Sequence, residues 1–372
     1  MPKSPMLTGE DRIEFSPLLG RTIRSGALAH FKVADQDKLA EWIRARRTED
    51  AVALLEVMKL LYVDMNRILL EWSLSWGQRI REDLGIAEET KITTHVHSIW
   101  SEIVRVEKES PEHIEAGKTV ISVLSPEIRR SRADCQTLSE QLNAVPLAAW
   151  HEVVQITKEK KAEEALAKFA VFIRKSRAVH DYLCQYLWVY PTETEKSYGQ
   201  AFSERMMIES FQSCTMYEGF IKLIAKLSPE GVVALMAEHL RGHYSGPDRR
   251  GKVEIVDNPD NYTIVFDGCG SGGAMRRKNA GKNTRGLENY SKASPSTWNM
   301  KGVSSFCAHC AQNEIFMVRR FGFPVWVVNY DPDPMKPCSW TIFKDYTNVP
   351  DKFYERIGFK KDPDKMAKLS TD

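Results

Sequence analysis

The chain has 372 residues, of which 42% are apolar and 27% are charged. These proportions are those of an ordinary globular protein, and they exclude a disordered or collagen-like chain. Basic and acidic residues nearly balance, 52 against 50, so the overall charge gives no support for a nucleic-acid partner. No stretch is long and apolar enough to predict a membrane-spanning helix, and the N-terminal residues lack the apolar region of a signal peptide.

Seven cysteines occur in this chain without a recognisable secretion signal. Thiols in that context are expected to be free or to bind metal, because disulfides form mainly in oxidising compartments. We therefore expect a cytoplasmic protein with no membrane partner.

Apolar residues recur at three- and four-residue steps from Thr48 to Leu84, and Gly85 follows. This spacing places the apolar residues on one face, so it predicts a single long helix with Thr48 as its N-cap and its end at Gly85. The helix belongs to a predicted helical domain over residues 36–245, preceded by an N-terminal extension over residues 1–35.

Two further helices are predicted in the helical domain. One begins near Ala162 and stops near Pro191, and the other begins at Ser228 and Pro229. The last turn of the second carries His239 and His243, four residues apart and therefore on one face. That spacing suits metal binding or acid–base chemistry, although histidines in a last helical turn also favour the negative end of the helix dipole.

The composition changes at Gly246, where turn residues are followed by short β-branched runs. The runs predict the strands of a small antiparallel sheet, at residues 253–256, 262–266, 324–330 and 340–343. A stretch rich in glycine, lysine and asparagine, residues 278–296, is predicted to be a long loop. We predict a cysteine-rich α+β domain over residues 246–350 and a charged tail over residues 351–372, frayed from Lys360 onward. The expected fold class is α+β, with a mostly helical N-terminal domain followed by a small antiparallel β unit that holds a four-cysteine metal site.

That metal site is predicted from Cys269, Cys307, Cys310 and Cys338. Cys307 and Cys310 form a CxxC pair, and the other two cysteines each lie beside a turn at a strand end. Four thiolates suit tetrahedral zinc, and the same four can hold an iron–sulfur cluster. A closed four-thiolate zinc site is usually structural, and the alternative without metal is that the thiols are small buried apolar groups.

The loop after the second predicted strand is rich in glycine. The backbone N–H groups around Gly270, Ser271, Gly272 and Gly273 can form an anion-binding nest, and Arg276 and Arg277 can add a guanidinium fork, so these six residues are candidates for substrate binding. The alternative is that the glycines shape a tight metal-binding turn while the arginines are solvated. A dinucleotide site is not supported, because polar residues follow the glycines instead of an apolar helix.

Acid–base catalysis is assigned to His243, His239 or Glu314, the last of which follows the CxxC pair. With the metal and the anion-binding loop, these residues predict a metal-containing hydrolase or lyase that acts on a small anionic substrate. The first choice of metal is zinc. Two alternatives stay open: a non-enzymatic zinc-containing protein that binds or senses a ligand, and an iron–sulfur redox protein.

Three features of the C-terminal fifth resemble the family of L-2-amino-thiazoline-4-carboxylate hydrolase-like proteins. They are Cys307-x-x-Cys310, the acidic turn Asp331-Pro332-Asp333-Pro334 and the segment Cys338-Ser-Trp340-Thr-Ile-Phe343. The resemblance implies a helical domain ahead of a cysteine-bearing segment. It also implies hydrolysis of a small nitrogen–sulfur heterocycle that carries a carboxylate, and it assigns no individual catalytic residue.

Overall fold

The computed structural model describes residues 9–17, 19–107, 110–126, 132–280 and 286–366. These residues are mostly helical and include two small antiparallel sheets, so the α+β fold class is confirmed. The N-terminal half contains β1 (Arg12–Ser16), β2 (Arg21–Ser25), α1 (Asp35–Arg44), α2 (Thr48–Leu84), α3 (Ile86–Val106), α4 (Pro111–Val123), α5 (Cys135–Lys158) and α6 (Ala162–Tyr198). The C-terminal half contains α7 (Gln200–Gln212), α8 (Thr215–Ile224), α9 (Pro229–Gly242), β3 (Glu254–Asp257), β4 (Asn261–Phe266), α10 (Gly272–Asn279), α11 (Ala308–Phe321), β5 (Val327–Asn329), β6 (Cys338–Phe343) and α12 (Asp351–Glu355).

The long helix α2 has the predicted bounds, although its N-cap is Arg47 and not Thr48. The prediction that α6 stops near Pro191 is wrong, because the helix continues to Tyr198. A proline removes one backbone N–H from a helix and disturbs the carbonyls around it. The affected carbonyls lie three and four residues before Pro191, and the Thr192 hydroxyl donates to one of them, the carbonyl of Trp188, at 3.1 Å.

Helix α9 begins as predicted, with the Ser228 hydroxyl accepting from the N–H of Gly231. It packs against α2 on one side and against β4 and β6 on the other. Strands β3, β4, β6 and β5 form one antiparallel sheet in that order, and Phe266 of β4 pairs with Cys338 of β6. The end of β4 and the start of β6 therefore lie at the same end of the sheet, beside α9.

Two predicted irregular regions are ordered in the structure. The predicted loop over residues 278–296 was wrong in part, because α10 extends to Asn279 and Tyr290 is fully buried with its hydroxyl bonded to Ser203. Residues 281–285 lie outside the described residues. The expectation of fraying from Lys360 was also wrong for residues 360–366, because Lys361 Nζ donates to the carbonyls of Thr347 and Val349. The rest of that tail lies outside the described residues.

The hydrophobic core is continuous from the helices into the sheet unit. One cluster of buried residues includes Leu69 of α2, Leu187 of α6, Val232 of α9, Ile264 of β4 and Met317 of α11. Removing these apolar surfaces from water stabilises the packing of the sheet on the helices. None of the helices in the described ranges is long and apolar enough to cross a membrane.

Strands β1 and β2 form a hairpin in the predicted N-terminal extension, and buried charges dock it onto the helices. Arg24, 2% exposed as a side chain, donates to Asp11 and Asp35 at 2.7 Å. Arg21 of β2 donates to the buried carboxylate of Glu238 on α9 at 2.5 Å. Because a buried charge is costly unless it is paired, these ion pairs fix where the hairpin can sit.

We expect Glu238 to make stability depend on pH. Burial raises the pKa of its carboxyl from 4.5 to about 7, although Arg21 and Arg241 act to lower it. The folded chain binds this proton more tightly than the unfolded chain, so stability should fall as the pH rises through that window. Relative to Glu238→Gln, the wild-type free energy of unfolding should fall by up to about 3 kcal/mol between about pH 4.5 and pH 8.

Urea unfolding of both proteins at several pH values measures this difference. The control is Glu41→Gln, which removes an exposed carboxylate paired with Lys38 and should leave the pH dependence unchanged. A Glu238→Gln difference that is independent of pH would contradict the prediction.

Candidate functional site

An aromatic cavity of about 130 Å³ lies where α2, α9, α11 and the sheet meet. Its walls are mainly aromatic side chains: Trp72, Phe211, Tyr217, Phe220, Phe306, Trp326 and Trp340. One water needs about 10–15 Å³ of such space, so the cavity has room for a small molecule. Polar groups converge at one end, where His239, His243, Ser271, His309 and Cys310 line both this cavity and a smaller one of about 50 Å³.

All four predicted metal-binding cysteines line the smaller cavity. Cys269 follows β4, Cys307 and Cys310 flank the first turn of α11, and Cys338 begins β6. No three of these sulfurs lie within 4.8 Å of one another, whereas four thiolates on one tetrahedral zinc lie about 3.8 Å apart. The sequence correctly groups the four cysteines around one space, but the structure does not show the predicted four-cysteine zinc site.

The thiols around the smaller cavity are buried to different degrees. Burial, reinforced by the neighbouring thiols of Cys269 and Cys338, raises the pKa of Cys307 to about 12. Burial and Cys269 likewise raise the pKa of Cys338 to about 11. Both thiols are therefore protonated at neutral pH unless a metal ion displaces the proton.

The glycine loop is shaped by close packing. A Cβ atom on Gly270 would lie 1.4 Å from the carbonyl oxygen of His243, and one on Gly272 would lie 2.6 Å from Cys307 Sγ. The N–H of Gly273 donates to Cys269 Sγ at 3.1 Å, so this donor already has a partner within the chain. Helix α10 begins at Gly272 and includes Arg276, Arg277 and Lys278, so the polar residues after the glycines are helical and not in a loop as expected.

The two arginines that follow the loop are not freely solvated. Arg276 donates to the carbonyls of Asp331 and Pro332 and lies over the ring of Tyr330 at 4.5 Å. Arg277 donates to the carbonyl of Pro334 at 2.8 Å. Both arginines hold the acidic proline turn, and Arg276 in addition lines the smaller cavity. The predicted substrate-binding roles of Gly270, Ser271, Gly272, Gly273, Arg276 and Arg277 stay predictions.

A chain of hydrogen bonds reaches this cavity from the interior of the helical domain. Asp181 Oδ1 lies 2.8 Å from His180 Nδ1, and His180 Nε2 lies 2.8 Å from His243 Nδ1. Arg249 binds both carboxylate oxygens of Asp181, at 2.7 and 3.3 Å. The bonds of His243 leave its Nε2 as the ring nitrogen available to the cavity, which His243 lines. We call the series Asp181–His180–His243 the histidine relay.

The histidines at the cavity are neutral at pH 7, whereas the far end of the histidine relay is charged. Burial lowers the pKa of His239 and of His309 to about 4, and it holds the pKa of His243 well below its usual range. These imidazoles are therefore neutral at pH 7, with a lone pair able to accept a proton. Although burial acts to raise it, Arg249 and His180 hold the pKa of Asp181 well below its usual range, so the relay ends in a carboxylate.

Cys184 also lies beside the relay, with its Sγ 3.7 Å from His180 Nε2. Among the described residues, His180, Cys184 and His243 are the one group of three metal-ligating side chains whose donor atoms all lie within 4.8 Å. Such a group can hold a metal ion. However, the 2.8 Å between the two nitrogens is a hydrogen-bond distance, shorter than the roughly 3.3 Å between two nitrogens on one tetrahedral zinc.

Sequence reasoning left the relay residues His180, Asp181 and Arg249 out of the site. The available signal was weak: a histidine followed by an aspartate inside a long helix, with a cysteine four residues later on the same face. Their partner His243 belongs to another helix, 63 positions away from His180. Only the fold shows that they meet.

Glu314, predicted as an acid–base residue, does not line either cavity. Its fully buried carboxylate accepts from Arg356, from Trp298 Nε1 and from the N–H of Val328. These bonds join α11 to β5 and to the segment after α12. The acid–base role stays a prediction, whereas the contacts give Glu314 a structural role.

Comparisons with protein-family models, with curated proteins and with solved structures found no match to this chain.

We expect substitution by alanine to destabilise the protein much more at Gly270 than at Gly273. A Cβ on Gly270 meets the backbone of His243, which cannot move without shifting the end of α9, so Gly270→Ala should destabilise the protein by at least about 3 kcal/mol. A Cβ on Gly273 has its nearest neighbour, Cys269 Sγ, at 3.4 Å, so Gly273→Ala should stay within about 1 kcal/mol of the wild type. Urea unfolding distinguishes the two. Equal stabilities for the two variants would show that the loop does not press on α9.

Proposed function

We propose that this protein is an enzyme, a hydrolase or lyase that binds a small, planar, anionic substrate in the aromatic cavity and uses His243 for acid–base catalysis. The observation that carries the proposal is the histidine relay, which links a buried carboxylate to an imidazole at the polar end of the cavity. A structural histidine pair does not need an opening to a cavity large enough for a small molecule.

The hydrogen bonds determine where each proton lies. The carboxylate of Asp181 can only accept, so His180 carries its proton on Nδ1 and presents the lone pair of Nε2. That lone pair accepts from the Nδ1–H of His243, so the relay does not use the lone pair of His243 Nε2, and His243 lines the cavity. His243 is thereby held in the tautomer of a general base.

Proton transfer to His243 Nε2 would create a positive imidazolium. The negative charge of Asp181, communicated through His180, stabilises that cation, as in other carboxylate–histidine pairs. The proton comes from a water that attacks the substrate in a hydrolase, or from a carbon of the substrate in a lyase. Asp181 and His180 act as positioning residues in both cases, because they do not reach the cavity lining.

The walls of the cavity favour a particular class of substrate. Aromatic rings such as Trp72, Phe306 and Trp340 suit a flat molecule, and Arg276 brings positive charge to the end where the histidines lie. A heterocycle with a carboxylate combines both properties. The resemblance of the C-terminal segment to L-2-amino-thiazoline-4-carboxylate hydrolase-like proteins supports the same class.

We also propose that the protein works in a reducing compartment such as the cytoplasm. All seven cysteines are free, and four of them line the smaller cavity, which His243 also lines.

We expect His243→Ala to lower kcat for 2-amino-thiazoline-4-carboxylate at least about 100-fold, because it removes the general base. Asp181→Asn should lower kcat and shift the acid limb of the pH profile, because the neutral amide no longer stabilises the imidazolium.

Cys184→Ser is the control that distinguishes a hydrogen-bonded relay from a metal site. It should retain activity if the group works as a hydrogen-bonded relay, and it should lose activity if His180, Cys184 and His243 hold a catalytic metal ion.

Steady-state kinetics on this compound and on related carboxylated heterocycles provide the measurement. If the wild-type protein neither binds nor turns over any of them, the proposed substrate class is wrong. If His243→Ala is as active as the wild type, the proposed base is wrong.

We expect Arg276 and Arg277 to differ in their effect on substrate binding. Both hold the acidic proline turn, but Arg276 also lines the smaller cavity, which shares its histidines with the aromatic cavity, and Arg277 lines neither. Arg276→Ala should raise KM for an anionic substrate about tenfold or more, since a charged hydrogen bond contributes roughly 1.5–3 kcal/mol. Arg277→Ala should leave KM near the wild-type value. Equal effects would indicate that both arginines act only through the turn.

A further inference from the structure

Four cysteines from three separate parts of the chain meet around the smaller cavity. Cys269 comes from the loop after β4, Cys307 and Cys310 come from the start of α11, and Cys338 comes from the first position of β6. The remaining cysteines, Cys135, Cys184 and Cys214, lie on other helices and do not line this cavity. Four thiols gathered at one place form a ligand set for a soft metal centre.

The spacing of the sulfurs indicates what kind of metal centre they suit. Around one tetrahedral zinc every pair of sulfurs lies about 3.8 Å apart, and the closed site leaves no space between its ligands. Here no three of the four sulfurs lie within 4.8 Å of one another, and they border a cavity of about 50 Å³. An iron–sulfur cluster divides four thiolates among two or more iron ions and fills the space between them with iron and sulfide.

The surroundings also provide what a thiolate-bound cluster needs. The N–H of Gly273 donates to Cys269 Sγ at 3.1 Å. Hydrogen bonds to the sulfurs tune such clusters. Arg276 lines the same cavity and brings a positive charge to balance the thiolates.

The start of α10 at Gly272 leaves room for the sulfur of Cys307. A Cβ on residue 272 would lie 2.6 Å from Cys307 Sγ, so only glycine lets α10 begin against that sulfur. The aromatic rings of Phe266, Trp298, Tyr330 and Trp340 also line this cavity and limit the access of water.

We propose that Cys269, Cys307, Cys310 and Cys338 hold an iron–sulfur cluster in the smaller cavity. The proposal does not depend on the proposed reaction, because it concerns what the four sulfurs bind and not which substrate is turned over.

The test is the metal and sulfide content of the full-length protein, expressed with iron and purified without oxygen. We expect about two to four iron ions and a similar number of acid-labile sulfides per chain, with the broad visible absorption of a brown protein. Alanine variants of Cys307 and Cys338 should lose at least about four-fifths of the iron. The matched control is Cys135→Ala, which removes a buried cysteine of α5 and should retain it.

Reconstitution provides a second measurement that does not depend on how the variants fold. Wild-type protein stripped of metal and then given ferrous iron, sulfide and a thiol reductant should regain the visible spectrum, whereas ferrous iron alone should not restore it. Zinc at one ion per chain without sulfide would overturn the proposal, and so would a protein with no metal in both measurements. Iron that survives in the Cys307 and Cys338 variants would overturn the ligand assignment. None of these outcomes involves a substrate, so the failure of the proposed reaction would be recognised separately.

Discussion

The close contact between the backbone of Gly270 and the carbonyl of His243 is the constraint on which the rest of the site depends. It presses the loop after β4 against the last turn of α9, with no space for a side chain between them. On one side of this contact the loop places Cys269 and Ser271 on the lining of the smaller cavity, and on the other side His243 lines both cavities and reaches His180 of α6. Both cavities lie beside it, because the aromatic side chains of α2, α11 and β6 close over the remaining space.

Charge is distributed unevenly around this contact. The imidazoles that face the cavity are kept neutral by burial, whereas the full charges behind them are paired, as in Asp181 with Arg249 and Glu314 with Arg356. Such pairs are expensive to break, since removing one partner leaves an uncompensated charge in the interior. The site therefore presents neutral imidazoles to a ligand, and buried ion pairs behind these imidazoles hold the surrounding elements in place.

The sequence predicts the long helix α2, the start of α9 and the strands of the small antiparallel sheet, because each depends on a local pattern of residues or on one capping serine, but it does not predict the order of the strands in the sheet. It also places the four cysteines together, since each lies at a turn or a helix start. It does not predict that α6 continues through Pro191, because the residues around this proline are buried against other helices that no local pattern identifies. Nor does it predict the histidine relay, because nothing local marks His180 as the partner of His243.

The ion pair between Arg21 and Glu238 joins residues 217 positions apart. A ribosome adds about 5–20 residues per second, so the hairpin that carries Arg21 emerges about 10–40 s before its partner on α9 exists. During that interval the guanidinium can only be hydrated or meet other anions near the ribosome. The pairing of Arg21 with Glu238 is therefore a late event of synthesis, and contacts of such long range are slow to form.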